Sequence, residues 1–180
     1  YKLSQEIKEK YGSAKVIIGN NVVAHIDNHH DLVKAVKNLL SKDGVFIFEA
    51  PYMVDMFENH TFDTVYHEHL SYLSVTPLTK MFSQFGMEVI DVKTFPVQGN
   101  SLRTYVGKKG QHQISPSVKK FILKERNLKM HRISSYKKLS EEVSNMKQKT
   151  LQLLTKLHKQ GKKIAGYGAP AKGNTLLSFY

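Results

Sequence analysis

The chain has 180 residues, 41% of them hydrophobic and 23% charged, with a formal net charge of +12; this is the length of one domain or one and a part, and an ordinary globular composition rather than a disordered one. Cysteine is absent, which excludes disulfides and thiolate metal sites and fits a reducing, cytoplasmic setting. No apolar run approaches the length of a membrane span, and no signal peptide is visible.

Opening at Tyr1 without an initiator Met and closing at Tyr180 just as a strand-turn-helix unit begins, the chain reads as an internal piece of a longer protein. Leu3, Ile7 and Tyr11 recur at helical spacing before Gly12, a stop signal. Residues 15–19 are a short, continuously apolar strand of the buried, parallel type. Asp27 and Asn28 then offer caps to a helix with the apolar stripe Leu32, Val33, Val36, Leu39 and Leu40, ending at Asp43-Gly44. Residues 45–49 make a second buried strand, closed by Ala50-Pro51, so strand, helix and strand form a βαβ unit.

Further on, Pro77 is expected to open a helix through Leu78, Met81, Phe82 and Phe85 that stops at Gly86. Residues 87–95 and 101–106 read as two strands of an antiparallel pair at a sheet edge, joined by Pro96-Val97-Gln98-Gly99-Asn100. From Ser115, with Pro116 behind it, helical patterns run to about Lys159, broken near 131–135. Residues 108–163 hold 16 Lys and Arg against Glu125, Glu141 and Glu142, so the rest of the chain is close to neutral. Such a segment binds nucleic acid or a phosphate-bearing ligand, or is simply a solvated helical face; its lysines are not interleaved with the aromatics that single-stranded binders use. Residues 163–177 then read as a strand, a glycine-rich turn and a helix start.

Chemistry concentrates in Phe62-Asp63-Thr64-Val65-Tyr66-His67-Glu68-His69-Leu70-Ser71-Tyr72. A phenol, two imidazoles and a carboxylate in consecutive positions can exchange protons near neutral pH once their surroundings tune them. Three readings stand at this point. His67 and His69, at i and i+2 on one face of a strand, would bind a metal if a third ligand such as His25 or Asp63 joined them. A hydrogen-bonded structural network is the second, and acid–base catalysis the third. His25 lies just past the carboxyl end of the first strand and Glu49 ends its neighbour, the edge where open parallel sheets bind ligands. The turn with Gly166, Gly168 and Gly173 either cradles a phosphate, with Lys172 as an added cation, or is purely structural.

Four motifs in this order closely resemble one family. They are Asn20-Asn21-Val22-Val23-Ala24-His25, the run from Phe62 to Tyr72, Ser101-Leu102-Arg103-Thr104-Tyr105-Val106, and Gly166-Tyr167-Gly168-Ala169-Pro170-Ala171-Lys172-Gly173-Asn174-Thr175-Leu176-Leu177. The family is that of the sugar C-methyltransferases, which use S-adenosylmethionine (SAM) and act on nucleotide-linked keto-deoxysugars. The resemblance implies an α/β fold: the C-terminal half of a class I, Rossmann-like methyltransferase sheet over residues 1–110, a helical connection over 111–160, and the first βα unit of a second Rossmann-like domain, for the sugar nucleotide, over 161–180. It also implies that the family's N-terminal zinc-binding lobe and the first strand with its glycine-rich SAM loop are absent here, so that the chain alone is inactive.

The implied reaction is methyl transfer to C3 of a 4-keto sugar, by removal of the proton next to the ketone and attack of the enolate on the SAM methyl. The family's pattern makes His69 the base, with Tyr66 and Glu68 positioning substrate or tuning that imidazole, and His25 near the enolate or its proton. It puts Gly19, Asn20 and Asn21 beside the methionine end of SAM. Charge and position assign Arg103, Lys172 and Asn174 to the nucleotide-sugar side. Where the family commonly shows His-Gly-Gly, this chain has Gln98-Gly99-Asn100, a departure that bears on which sugar is used. A nucleotide-linked sugar is thus the expected partner, with no membrane. The alternatives are a basic nucleic-acid-binding module or a non-catalytic interaction module.

Overall fold

The computed structural model describes residues 1–96, 101–168 and 170–180; the Gln98-Gly99-Asn100 departure lies outside them. Strands β1 (Ala14–Asn20) and β2 (Leu40–Pro51) run parallel, linked through helix α2 (His29–Leu39) as the βαβ pattern predicts. The Asn28 side chain accepts the Asp31 N–H at 2.9 Å and starts α2, a cap of the kind that contributes roughly 1 kcal/mol. Strands β3 (Met87–Phe95) and β4 (Ser101–Lys108) complete a sheet of order β1-β2-β4-β3. Here β4 is antiparallel to both neighbours. The antiparallel pair expected at the sheet edge is there: β3 is outermost, and β4 fills the slot beside β2 with Leu102, Thr104 and Val106 fully buried.

Three other expectations are corrected. Strand β1 is parallel but not buried on both faces, because Val16 and Ile18 remain 54% and 65% exposed. Helix α1 (Lys2–Tyr11) packs with α2 beside Ile17, which leaves the face carrying Val16 and Ile18 uncovered. Asp43-Gly44 lies inside β2 rather than ending α2. A Cβ on Gly44 would sit 2.9 Å from the Ala14 carbonyl oxygen and from Leu40 Cδ1, so only glycine lets the two strands close here. Helix α4 (Val75–Ser83) begins two residues before Pro77, which takes a first-turn position whose missing N–H costs nothing.

The core is aromatic at its centre. Phe46 stacks on Phe48 at 5.1 Å between ring centroids, and both meet Phe82 of α4. Phe48 and Phe82 are fully buried, each worth about 1.5–3 kcal/mol of transfer free energy. Short helix α3 (Met53–Glu58) follows β2. Helices α5 (Pro116–Asn127) and α6 (Ile133–Lys159) carry the basic run, with Val118, Glu125, Leu139 and Val143 as their buried residues. Residues 163–165, expected as a strand before the glycine-rich turn, join no strand pair and are exposed, since a strand without a neighbour has no ladder to hold it. The helix after them does form, as α7 (Ala171–Phe179). No helix among the described residues is long and apolar enough to cross a membrane.

Candidate active site

The carboxyl ends of β1 and β2 lie side by side, Asn20 in register with Glu49. Asn21 takes a left-handed conformation, φ 52°, and gives its N–H to the Glu49 carbonyl at 2.9 Å, which turns the chain out of the sheet. A short 3₁₀ turn, Val23–His25, follows, anchored by the buried Val23 and Ala24. The Ala24 carbonyl accepts from the backbone N–H groups of both Leu70 (3.0 Å) and Ser71 (3.1 Å). Those two bonds pin the loop that carries Tyr66 to His69 against the turn that carries His25, and the two imidazole rings meet with centroids 5.1 Å apart.

That loop is not a strand. A 3₁₀ turn at Phe62–Thr64 leads into a further turn closed by the His69 N–H on the Tyr66 carbonyl at 3.0 Å. His67 and His69 consequently do not share a strand face: His67 and Glu68 are exposed while His69 turns inward. Among the described residues no three His, Cys, Asp or Glu side chains gather as a metal cluster.

His69 is held at both nitrogens. Its Nδ1 lies 2.8 Å from the Thr64 carbonyl oxygen, and the Tyr66 hydroxyl 3.3 Å from its Nε2. A carbonyl can only accept, so Nδ1 carries the hydrogen, and in the neutral ring Nε2 keeps its lone pair. The Tyr66 ring lies against that of His69, centroids 4.4 Å apart, and Tyr72 presents its edge at 6.5 Å. Burial, then the nearby Glu68 charge, pushes the Tyr66 hydroxyl above the ordinary phenol range; burial, then Tyr66, does the same to Tyr72. Both remain phenols at neutral pH and therefore donors. The arrangement is an imidazole whose neutral form is held in one tautomer, flanked by a hydroxyl donor and a second imidazole.

The other expected residues fall in two places. Gly19 is half-buried at the end of β1, with Asn20 and Asn21 exposed beside it. Arg103, in register with Glu49 across β2 and β4, donates from Nε to Glu49 Oε1 at 2.5 Å and stacks 4.0 Å over the Phe95 ring. Its side chain thus neutralises a carboxylate that is 8% exposed, and hydrogen bonding with Tyr105 and then Glu49 raises its pKa. Lys172, on α7, pairs with Asp63 at 3.5 Å, while Asn174 is exposed. Beside them the Thr175 hydroxyl donates to the Val65 carbonyl at 3.3 Å and Phe179 packs on Phe62 at 4.9 Å. Helix α7 therefore grips the segment whose Thr64 carbonyl fixes His69.

Sequence reasoning missed Glu125. This buried carboxylate accepts from the Tyr52 hydroxyl (3.0 Å), the Val75 N–H (2.6 Å), and the N–H (2.8 Å) and hydroxyl (2.5 Å) of Thr76. It caps α4 from fifty residues away, and its one signal in the sequence is an acid inside a strongly basic run.

Comparisons with known proteins bear on the family of the chain. A family profile described as a methyltransferase domain matches residues 2–92, and one described as a C-methyltransferase C-terminal domain matches residues 96–180. C-methyltransferase NovU of Streptomyces niveus is 33% identical over 177 residues, which is 98% of this chain and 42% of that protein. Among solved structures, M1.HpyAVI (TM-score 0.37, 11% identity) covers 60% of this chain and 50% of its own. The M1.HpyAVI–SAM complex (TM-score 0.40, 10% identity) covers 62% and 52%. The chain thus spans about half, or less, of the length of the proteins it matches.

Proposed function

Because the chain belongs to the methyltransferase family, its second half matching the C-methyltransferase C-terminal domain, we propose that the protein transfers a methyl group from SAM to a carbon beside the ketone of a nucleotide-linked keto-deoxysugar. The likeness to a protein named a C-methyltransferase supports transfer to carbon, and the motif set supports the sugar. When bound, SAM supplies an electrophilic methyl on sulfur. The exposed amides of Asn20 and Asn21, with Gly19 at the carboxyl end of β1, offer polar groups and backbone access suited to holding its amino-acid end.

The chain's own residues account for the proton step. Nε2 of His69 takes the proton from the carbon next to the ketone, and the C–H electron pair passes into the enolate. With SAM bound, that carbon would take up the methyl as the C–S bond breaks, with S-adenosylhomocysteine as the leaving group. Tyr66, a phenol at neutral pH, moves its hydrogen bond from Nε2 to the enolate oxygen as charge develops there. His25, in ring contact with His69, lines the same face, and Glu68 acts on Tyr66 through its charge. A carbon acid this weak needs the base held in place, which the Thr64 carbonyl achieves.

The observation that carries the reading is the His69 ring locked through Nδ1, with Nε2 presented beside a phenol. In the full-length protein, His69→Asn should abolish methylated product, a loss of at least about 100-fold for a missing general base, while SAM affinity is retained. Unchanged turnover would remove His69 as the base.

A further inference from the structure

Three consecutive carbonyls build the turn that carries His25, and each has its own partner. Val22 accepts from the His25 N–H at 3.0 Å, which closes the 3₁₀ turn Val23–His25. Ala24 accepts from Leu70 and Ser71 and so holds the His69 loop. Between them the Val23 carbonyl oxygen lies 3.0 Å from Nε2 of His29, the first residue of α2. The proton step described above makes no use of His29.

A carbonyl can only accept, so Nε2 of His29 carries the hydrogen and donates it in the neutral and the charged ring alike. The Ile26 N–H also points at the Val23 carbonyl, but at 3.4 Å that bond is long and weak. His29 is therefore the main donor to a carbonyl whose residue is 1% exposed, where a missing partner is not replaced by bulk water. The imidazole stands on a fixed base. Asn28 caps α2 through its side chain, its carbonyl accepts the Leu32 N–H at 3.2 Å, and Val33 and Val36 root the helix in the core. Peptide units are rigid planes joined at Cα, so anchoring the Val23–Ala24 unit restricts the next one, whose carbonyl is that of Ala24. Contacts thus run from α2 through His29 to Val23, and through Ala24 to Leu70 and Ser71. They end at the rings of His25 and His69, 5.1 Å apart.

We infer that His29 is a positioning residue: its Nε2–H ties the Val23–His25 turn to α2 and thereby sets His25 and the His69 loop against each other. Its effect on rate rests on the proton-transfer reading above; its effect on the loop rests on the hydrogen bonds alone.

Two substitutions in the full-length protein test it. His29→Leu removes the donor, whereas His29→Gln keeps an N–H at comparable reach. His29→Leu should lower kcat by roughly 3- to 10-fold through misplacement of the base, with KM for the keto sugar within about twofold of wild type. SAM affinity should hold, because Asn21 is tied separately to the Glu49 carbonyl. His29→Gln should recover most of the lost kcat. Amide hydrogen exchange needs no substrate: the Leu70 and Ser71 N–H groups should exchange roughly fivefold faster in His29→Leu, the weight of one hydrogen bond. The Phe48 N–H, inside the sheet, should exchange as in wild type. His30→Leu, which removes the neighbouring exposed imidazole beside Phe85, is the control and should match wild type throughout. Wild-type exchange at Leu70 and Ser71 in His29→Leu overturns the inference, as does an equal rise at Phe48, which marks a merely global loss of stability. So does His29→Gln behaving like His29→Leu, or an unchanged kcat in an active enzyme. If the exchange pattern is as expected yet the wild type methylates no keto sugar, the tie from His29 to the loop stands and the reaction reading fails.

Discussion

Glu125 is the residue on which the hydrogen bonds at the start of α4 converge, and removing its carboxylate has a calculable effect. Glu125→Ala deprives four donors of their acceptor. Thr76 is exposed, so its N–H and hydroxyl regain water. Tyr52 and Val75 are 3% and 0% exposed, so the Tyr52 hydroxyl and the Val75 N–H are stranded, at about 1–3 kcal/mol each. Loss of the negative charge at the N-terminus of α4 adds about 0.3–1 kcal/mol. Relief of the carboxylate's own burial offsets part of this, leaving about 3 kcal/mol. For a protein of this size that lowers Tm by roughly 6–12 °C, read by circular dichroism. Tyr52→Phe removes one donor and leaves the helix cap intact, so it should cost about 1 kcal/mol. Burial, then the Glu125 charge, drives the Tyr52 hydroxyl far above the phenol range, so both effects should be independent of pH across the neutral and alkaline range. A Glu125→Ala protein within about 0.5 kcal/mol of wild type, or a Tyr52→Phe protein less stable than it, refutes the account.

The grip of α7 on the His69 loop predicts a split between chemistry and binding. Lys172→Ala combined with Thr175→Val should lower kcat by roughly 3- to 10-fold through misplacement of the base, with SAM affinity unchanged; an unaltered kcat separates α7 from the site. Gly44→Ala should destabilise the protein by about 1–3 kcal/mol, as overpacking does, because the Ala14 carbonyl is backbone and cannot rotate away; a neutral effect in urea unfolding contradicts the close approach of β1 and β2. At Asp91, burial raises the carboxyl pKa, but hydrogen bonds from Ser117, Ser115 and the Val92 N–H outweigh it and hold the group below its usual value. A depressed carboxyl contributes stability above its unfolded pKa of about 3.9 and loses it as pH falls through the lower folded value. Ser117→Ala should therefore be less stable than wild type at neutral pH, with the gap narrowing in acid below that range; a gap that stays constant excludes Asp91 as its source.

Much of this protein was legible in its residues. The apolar runs at 15–19 and 45–49, with a capped helix between them, determine a parallel strand pair, because length, continuity and caps are local properties. The Ser115 cap with Pro116 marks the start of α5 for the same reason. The dense run Tyr66 to His69 identifies the loop that carries the candidate chemistry, since side chains that titrate near neutrality are rarely massed without use. Only tertiary structure decided the rest. That β4 inserts beside β2 depends on pairing between residues fifty positions apart, and a strand's own sequence does not name its neighbour. Residues 163–165 carry a strand pattern but no partner in the sheet, so propensity alone leaves them unpaired. His67 and His69 part company because the loop bends, and His25 joins His69 because the Ala24 carbonyl takes two distant N–H groups. Glu125 passed for one acid in a basic helix until the fold set it over the start of α4. Local chemistry is written along the chain; which groups meet and which carboxylate is buried are set by contacts between distant segments, and those exist only once the chain has folded.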